Sequence, residues 1–302
     1  MLHDERKSIL EDLTPPFQVL EPVVQTTPFI FCSPHSGAVY PRSFITSSKL
    51  DAHSLRKSED VAVDRLFSGV ASLGAPLLSA NFPRAYLDVN REPYELDPEL
   101  FGGRLPPFAN TQSMRVAGGL GTIARIVADA EEIYPLNGRP TLDSAMHRIE
   151  MLYKPFHAAL ASLIVRTRER FGTAVLVDCH SMPSTSMVRP NGGSRPDIVL
   201  GDRFGTSCDA RVTKLIRDSI AELGLHVQLN RPYAGGFITE HYGRPFEGVH
   251  AVQIEINRAL YLNEASLQHL PGFAPLQLQI TALAKNMIRD LPRHLTTRIA
   301  AE

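Results

Sequence analysis

The chain has 302 residues, 43% of them hydrophobic and 21% charged, the balance of an ordinary globular protein able to bury a large core. Thirty-one Lys and Arg face 32 Asp and Glu, so the formal net charge of −1 supplies no global field for nucleic acid or an acidic membrane. No apolar run approaches the ~20 residues of a membrane span, and the charged stretch from Met1 to Lys7 lacks a signal peptide's apolar core, so a cytoplasmic protein is expected.

In chain order, residues 1–25 read as a polar, proline-containing lead-in. Strand-like apolar runs follow at Phe29–Cys32, Ala75–Ser79, Ala85–Val89, Ala174–Asp178, Asp197–Leu200, His226–Leu229 and Val249–Ile256. Helical patterns lie between them at Ser54–Leu73, Leu142–Arg170, Asp209–Leu223 and Leu276–Arg289. In the first of these, Leu55, Val63, Leu66, Val70 and Leu73 fit one broad apolar stripe. Such alternation predicts an α/β fold with one mixed sheet flanked by helices, and no linker divides 1–302 into more than a single domain.

Glycine and proline pairs punctuate three stretches, 92–141, 181–195 and 231–249, which read as long binding loops over strand ends. The three cysteines, Cys32, Cys179 and Cys208, form no C-x-x-C pair and are odd in number, which excludes a disulfide framework and fits a reducing compartment. Walker, G-x-G-x-x-G, H-E-x-x-H and G-x-S-x-G motifs are absent.

The chemistry-bearing residues begin with two histidines. His35 in Ser33-Pro34-His35-Ser36-Gly37 and His180 in Asp178-Cys179-His180-Ser181-Met182-Pro183 each follow a strand-like run, where α/β folds gather ligands. Two imidazoles so delivered suit one metal, and a catalytic zinc takes three protein ligands and keeps a position open. Glu59 and Asp60, in the first helical pattern, are candidates for the third; adjacent helical residues point ~100° apart, so only one can serve. In the last strand Gln253, Glu255 and Asn257 share a face. Glu255 is either salt-bridged, to Arg258 or Arg91, or a general base aimed at metal-bound water. Arg84, Asn90 and Arg91 bracket a short apolar run, and Arg231 and Arg244 lie on the third loop beside Gly235-Gly236. All are suited to gripping a carboxylate.

With Ser33–Gly37, Asp60, Asp88-Val89-Asn90-Arg91, Asp178–Pro183, Asn230-Arg231-Pro232-Tyr233 and Gln253–Tyr261 in this order, the chain resembles the N-formylglutamate amidohydrolases from about Phe29 to about Leu262. That family is similar in fold to the zinc carboxypeptidases and aspartoacylase-like deacylases, which implies a three-layer sandwich. The resemblance further implies zinc (Zn2+) held by His35, a carboxylate and His180, with Glu255 as base and Asn90-Arg91 near an acidic N-acyl amino acid. The carboxypeptidase pattern places a glutamate three residues after the first histidine, where this chain has Ala38, so the second ligand comes from elsewhere and Asp60 is preferred to Glu59. Release of formate from N-formyl-L-glutamate, as in histidine breakdown, is the implied activity. The alternatives are another N-acyl amino-acid deacylase of the same fold or an inactive metal- or ligand-binding member.

Overall fold

The computed structural model describes residues 5–187 and 195–291. The first four residues of the lead-in and residues 188–194 of the second predicted loop lie outside the described residues. The chain divides into two compact units: one of residues 1–18, 34–59 and 79–159, the other of 19–33, 60–78 and 160–302.

The second unit is built on a seven-stranded sheet: β1 (Phe17–Leu20), β2 (Phe29–Ser33), β3 (Leu77–Ala80), β4 (Ala174–Met182), β5 (Ile198–Gly201), β6 (Val227–Leu229) and β7 (Val249–Asn257). Their order is β1-β3-β2-β4-β7-β5-β6, with β1 and β3 each crossing the boundary between the units. β2, β4 and β7 run parallel, whereas β5 is antiparallel to β7, so the sheet is mixed. Every residue of β4 and β7 is buried. Strands covered on both faces read as near-continuous apolar runs, which is why these two were legible.

Three helical segments cover one face. Ala210–Glu222 places Val212, Ile216 and Ile220 in the core at four-residue steps, and Asp209 caps it by accepting from the Arg211 N–H. Phe273–Asp290 buries Leu276, Ile280, Leu283 and Met287, and residues 63–73 add Val63, Leu66, Phe67 and Val70. Each fully buried aliphatic side chain is worth roughly 1.5–3 kcal/mol over its exposed state.

Several elements depart from the sequence expectation. The lead-in holds a helix, Glu5–Asp12, as well as β1; Ile9 is its one buried apolar residue, with Leu13 just past its end, too few to register as a period. Ala85–Val89 pairs with no strand. The Tyr86 and Leu87 N–H groups donate back to the Pro83 carbonyl, and the run is apolar because this turn is buried. The expected helix over 54–73 is broken into Ala52–Arg56, Val63–Phe67 and a 3₁₀ segment, Ser68–Leu73. At the break Ala62 adopts a left-handed conformation, φ 58°, which leaves Glu59 and Asp60 outside any helix.

Candidate active site

In the sheet-bearing unit, β4 continues past Val177 through His180 to Met182, so this histidine sits within a strand rather than beyond its end. The parallel register sets Asp178 against Gln253, His180 against Glu255 and Met182 against Asn257. Partnered residues share a face of the sheet, so the two strands present one row of polar side chains from an otherwise apolar core.

Asp60 joins that row from the helix break. Its backbone is fixed because Val61, Ala62 and Val63 are core residues and the Tyr261 hydroxyl donates to the Val61 carbonyl at 3.0 Å. Asp60 Oδ2 lies 2.9 Å from His180 Nδ1, and Asp178 Oδ1 lies 2.9 Å from His180 Nε2. Burial opposes charge on this imidazole, but Asp178, Asp60 and Glu255 together raise its pKa well above the ordinary value. The remaining Asp60 oxygen accepts from Arg258 Nη2 at 3.0 Å. Glu255 Oε1 accepts from Gln253 Nε2 at 2.7 Å. Gln253 is itself oriented by the Gly236 N–H, which donates to its Oε1 at 2.7 Å.

In the other unit, His35 follows β2 by two residues, as expected. Gly37 is required in its turn, since a Cβ there would come 2.1 Å from the Phe82 carbonyl oxygen. His35 Nε2 lies 2.7 Å from Asp88 Oδ1, and the same oxygen accepts from the Asn90 N–H at 2.8 Å. Asp88 Oδ2 accepts from Arg84 at 2.8 Å and faces Arg91 Nη2 at 3.6 Å. Burial works against the Asp88 carboxylate, yet Arg91, His35 and Arg84 hold its pKa well below the usual range. A carboxylate of that kind is a hydrogen-bond acceptor, so Nε2 is the His35 nitrogen placed to donate to it. Burial lowers Arg91 to about 10, which leaves it charged at neutral pH.

A π-helical turn, Ile149–Tyr153, interrupts the helical run over 142–171, and the Tyr153 hydroxyl donates to the Arg91 carbonyl at 2.6 Å. One turn on, His157 Nε2 contacts the Val89 carbonyl at 2.8 Å. Asp88, Tyr153 and His157 were not singled out from the sequence. Asp88 was visible in Asp88-Val89-Asn90-Arg91, but Tyr153 and His157 offered only an i, i+4 spacing inside an amphipathic helix.

The other candidates are placed as follows. Arg231 is exposed, after Asn230, whose side-chain amide exchanges hydrogen bonds with Asp202. Arg244 is exposed and donates to the Glu240 and Gly243 carbonyls. Its backbone bridges to Val249, six residues before Glu255, so about 20 Å of strand separates it from the His180 row. Glu59, the rival to Asp60, is bound bidentately by Arg56 at 2.9 and 3.0 Å and accepts from Tyr40. A cavity of ≈1090 Å³ opens at the amino ends of β4 and β7, beside Thr173, Gly248 and His250, and none of the candidate residues lines it.

The chain matches the family described as N-formylglutamate amidohydrolase over residues 27–262. It is 29% identical over 238 residues to the N-formylglutamate deformylase of Pseudomonas putida, covering 78% of this chain and 82% of that protein. The Pseudomonas aeruginosa protein of the same name is equally similar, with 83% of it covered. Among solved structures, the crystal structure of N-formylglutamate amidohydrolase from Ralstonia eutropha JMP134 superposes with a TM-score of 0.85 at 34% identity, over 91% of this chain and 97% of that one. A gene product of Agrobacterium tumefaciens, Atu2144, shares the fold with a TM-score of 0.61 at 21% identity, over 90% and 94% of the two chains.

Proposed function

The chain belongs to the N-formylglutamate amidohydrolase family, and from that membership we propose that it hydrolyses N-formyl-L-glutamate to formate and L-glutamate with the help of zinc. The observation that carries the catalytic reading is the direct pairing of Glu255 with His180 across β4 and β7. That pairing sets a carboxylate beside a metal-ligand imidazole on neighbouring strands.

The ligands of this proposal are His35, Asp60 and His180, each of them buried, two imidazoles and one carboxylate. The donor chemistry fits zinc, because each histidine has a carboxylate on one ring nitrogen, Asp88 for His35 and Asp178 for His180. Ligand histidines are oriented and made more basic by such partners. Zinc, when bound, supplies a Lewis acid that polarises a carbonyl and activates water at neutral pH.

The chain's own residues supply the rest. Glu255 accepts the proton of the attacking water and returns it to the leaving nitrogen. Arg91, kept charged and fixed by Asp88 and by its own contacts to the Leu120 and Asn90 carbonyls, stabilises the oxyanion as it forms. Arg84, Asn90 and Arg231 meet the substrate's carboxylates, which makes the preferred ligand a small acidic N-acyl amino acid. Action as a single catalytic domain in the cytoplasm, within histidine breakdown, belongs to the same proposal.

Formate release from N-formyl-L-glutamate, followed with and without a chelator, tests the reading. Turnover that a chelator abolishes and zinc restores is the expected result. Inertness on this substrate with turnover of N-acetyl or N-succinyl amino acids would replace it with a deacylase of other specificity.

A further inference from the structure

Asp60 and Arg258 are both buried, at 1% and 6% exposure, and they meet both directly and through Ser181. Arg258 Nη2 donates to Asp60 Oδ1 at 3.0 Å, while Arg258 Nε donates to the Ser181 hydroxyl at 3.1 Å. That hydroxyl in turn lies 3.4 Å from Asp60 Oδ1, which it faces as a donor. The three side chains close a ring on one carboxylate oxygen, Oδ1. The other oxygen, Oδ2, is the one turned to His180 Nδ1.

The position of Arg258 is set by the end of β7. Asn257 Oδ1 accepts from the Ala259 N–H, which starts the 3₁₀ turn Arg258–Leu260 on the first residue past the strand. The Tyr261 hydroxyl then holds the Val61 carbonyl, next in the chain to Asp60. Strand end, turn and helix break are therefore tied together around this one carboxylate.

We propose that Arg258 is a positioning residue that presents Asp60 to the metal through one oxygen only, and that zinc affinity depends on its two-point reach rather than its charge. The inference rests on the reading of Asp60 and His180 as ligands. A carboxylate free to rotate could bind a metal through both oxygens and fill the position that a catalytic site keeps open. A hydrogen-bonded guanidinium prevents that, because turning Oδ1 away would leave a buried ion pair broken. Arginine is suited where lysine is not: its planar fork reaches Asp60 and Ser181 at once. Charge alone acts the other way, since a buried cation beside a dication weakens the dication's binding.

These opposing directions make the test decisive. Zinc dissociation constants are measured by competition with a chromophoric chelator for the full-length protein and its Arg258→Lys and Arg258→Met variants, with circular dichroism confirming the fold. Loss of an outer partner of a ligand costs about 10–100-fold in metal affinity, and that loss is expected in both variants. The cobalt-loaded Arg258→Met protein should also show weaker visible bands, as coordination number rises above four. Wild-type affinity in Arg258→Lys, or tighter zinc in Arg258→Met, would overturn the proposal in favour of a purely electrostatic role. Should the Arg258 variants not fold, Ser181→Ala removes only a hydroxyl from the ring and is expected to weaken zinc by about 10-fold; unchanged affinity overturns the proposal. A wild-type protein that takes up no zinc overturns the ligand reading and this inference together, whereas bound zinc indifferent to these substitutions overturns this inference alone.

Discussion

Glu255 stands directly opposite His180 in the parallel pairing of β4 and β7, and Gln253, two residues earlier on the same face, donates to its carboxylate. A carboxylate so placed is held by a strand and not by a loop, which fixes its distance from the imidazole. Glu255→Gln is therefore expected to keep fold and zinc content while losing about 10²–10⁴-fold in kcat. Retention of activity within a few-fold, with zinc bound, would make Glu255 a structural carboxylate.

Glu59 and Asp60 are neighbours in sequence with different partners. Asp60 faces His180 and Arg258, whereas Glu59 is held by Arg56 and Tyr40. Asp60→Asn should strip zinc from the purified protein, as should His35→Ala and His180→Ala. Glu59→Gln should leave zinc content unchanged and instead lower stability by about 1–3 kcal/mol, the cost of an unsatisfied buried partner. Metal analysis beside urea unfolding checks both; zinc loss in Glu59→Gln alone would move the ligand by one residue.

Asp88 joins His35 to Arg84 and Arg91. Replacing it by asparagine preserves its shape but removes the charge that all three use. Asp88→Asn is expected to weaken zinc by about 10–100-fold and to raise KM as well, because the arginines lose their anchor. Chelator competition separates the two effects. Unchanged zinc affinity with a raised KM would mean that Asp88 serves the arginines alone.

How much of this was legible follows from burial. β2, β4 and β7 announced themselves because strands covered on both faces need continuous apolar residues, and the polar residues that interrupt β4 and β7 stood out against that background. The break that carries Asp60 did not, because residues 54–73 keep a helical apolar period and contain no proline. The helix stops at Arg56, and Ala62, in a left-handed conformation that alanine rarely adopts, separates it from the next. Ala85–Val89 misled for the opposite reason: a buried turn and a buried strand demand the same side chains. Asp88 stands in its motif beside Asn90 and Arg91 with nothing in the sequence to mark it, since only the folded chain brings one carboxylate to His35 and both arginines.

The helix Glu5–Asp12, ahead of the family-matched region, is tied down by a buried carboxylate. Glu5 Oε1 accepts from Arg148 Nε at 2.7 Å and from the Tyr86 hydroxyl, and Oε2 accepts from Ser144 at 2.7 Å. Burial alone would raise its pKa, but Arg148 and these hydrogen bonds leave it below the ordinary 4.5. A carboxyl whose folded pKa is depressed stabilises the fold above its unfolded pKa and loses that contribution as pH falls through the folded value. Glu5→Gln should thus cost about 3–5 kcal/mol at neutral pH, the cost of breaking a buried pair. The gap from wild type should hold down to about pH 4.5 and narrow below it. Urea titrations across that range check this; a gap as wide at pH 3 as at pH 7 would show that the charge on Glu5 is not what stabilises the helix.

The proposed specificity turns on the arginines. Arg84 and Arg91 both reach one buried carboxylate, Asp88, which brings the two guanidinium groups together. Arg231 is exposed. Glutamate brings an α-carboxylate and a side-chain carboxylate, and each charge-assisted hydrogen bond contributes about 1.5–3 kcal/mol. N-formyl-L-glutamine and N-formyl-L-leucine each lack the second carboxylate, so their kcat/KM should fall by about 10–100-fold, with KM carrying most of the change. Arg231→Met should erase that preference if it reads the side chain, leaving the three substrates nearly equal. If the preference survives in Arg231→Met but collapses in Arg84→Met with zinc still bound, the side-chain carboxylate is read at Arg84. Equal efficiency of the wild-type enzyme on all three substrates would mean that none of these arginines reads the side chain.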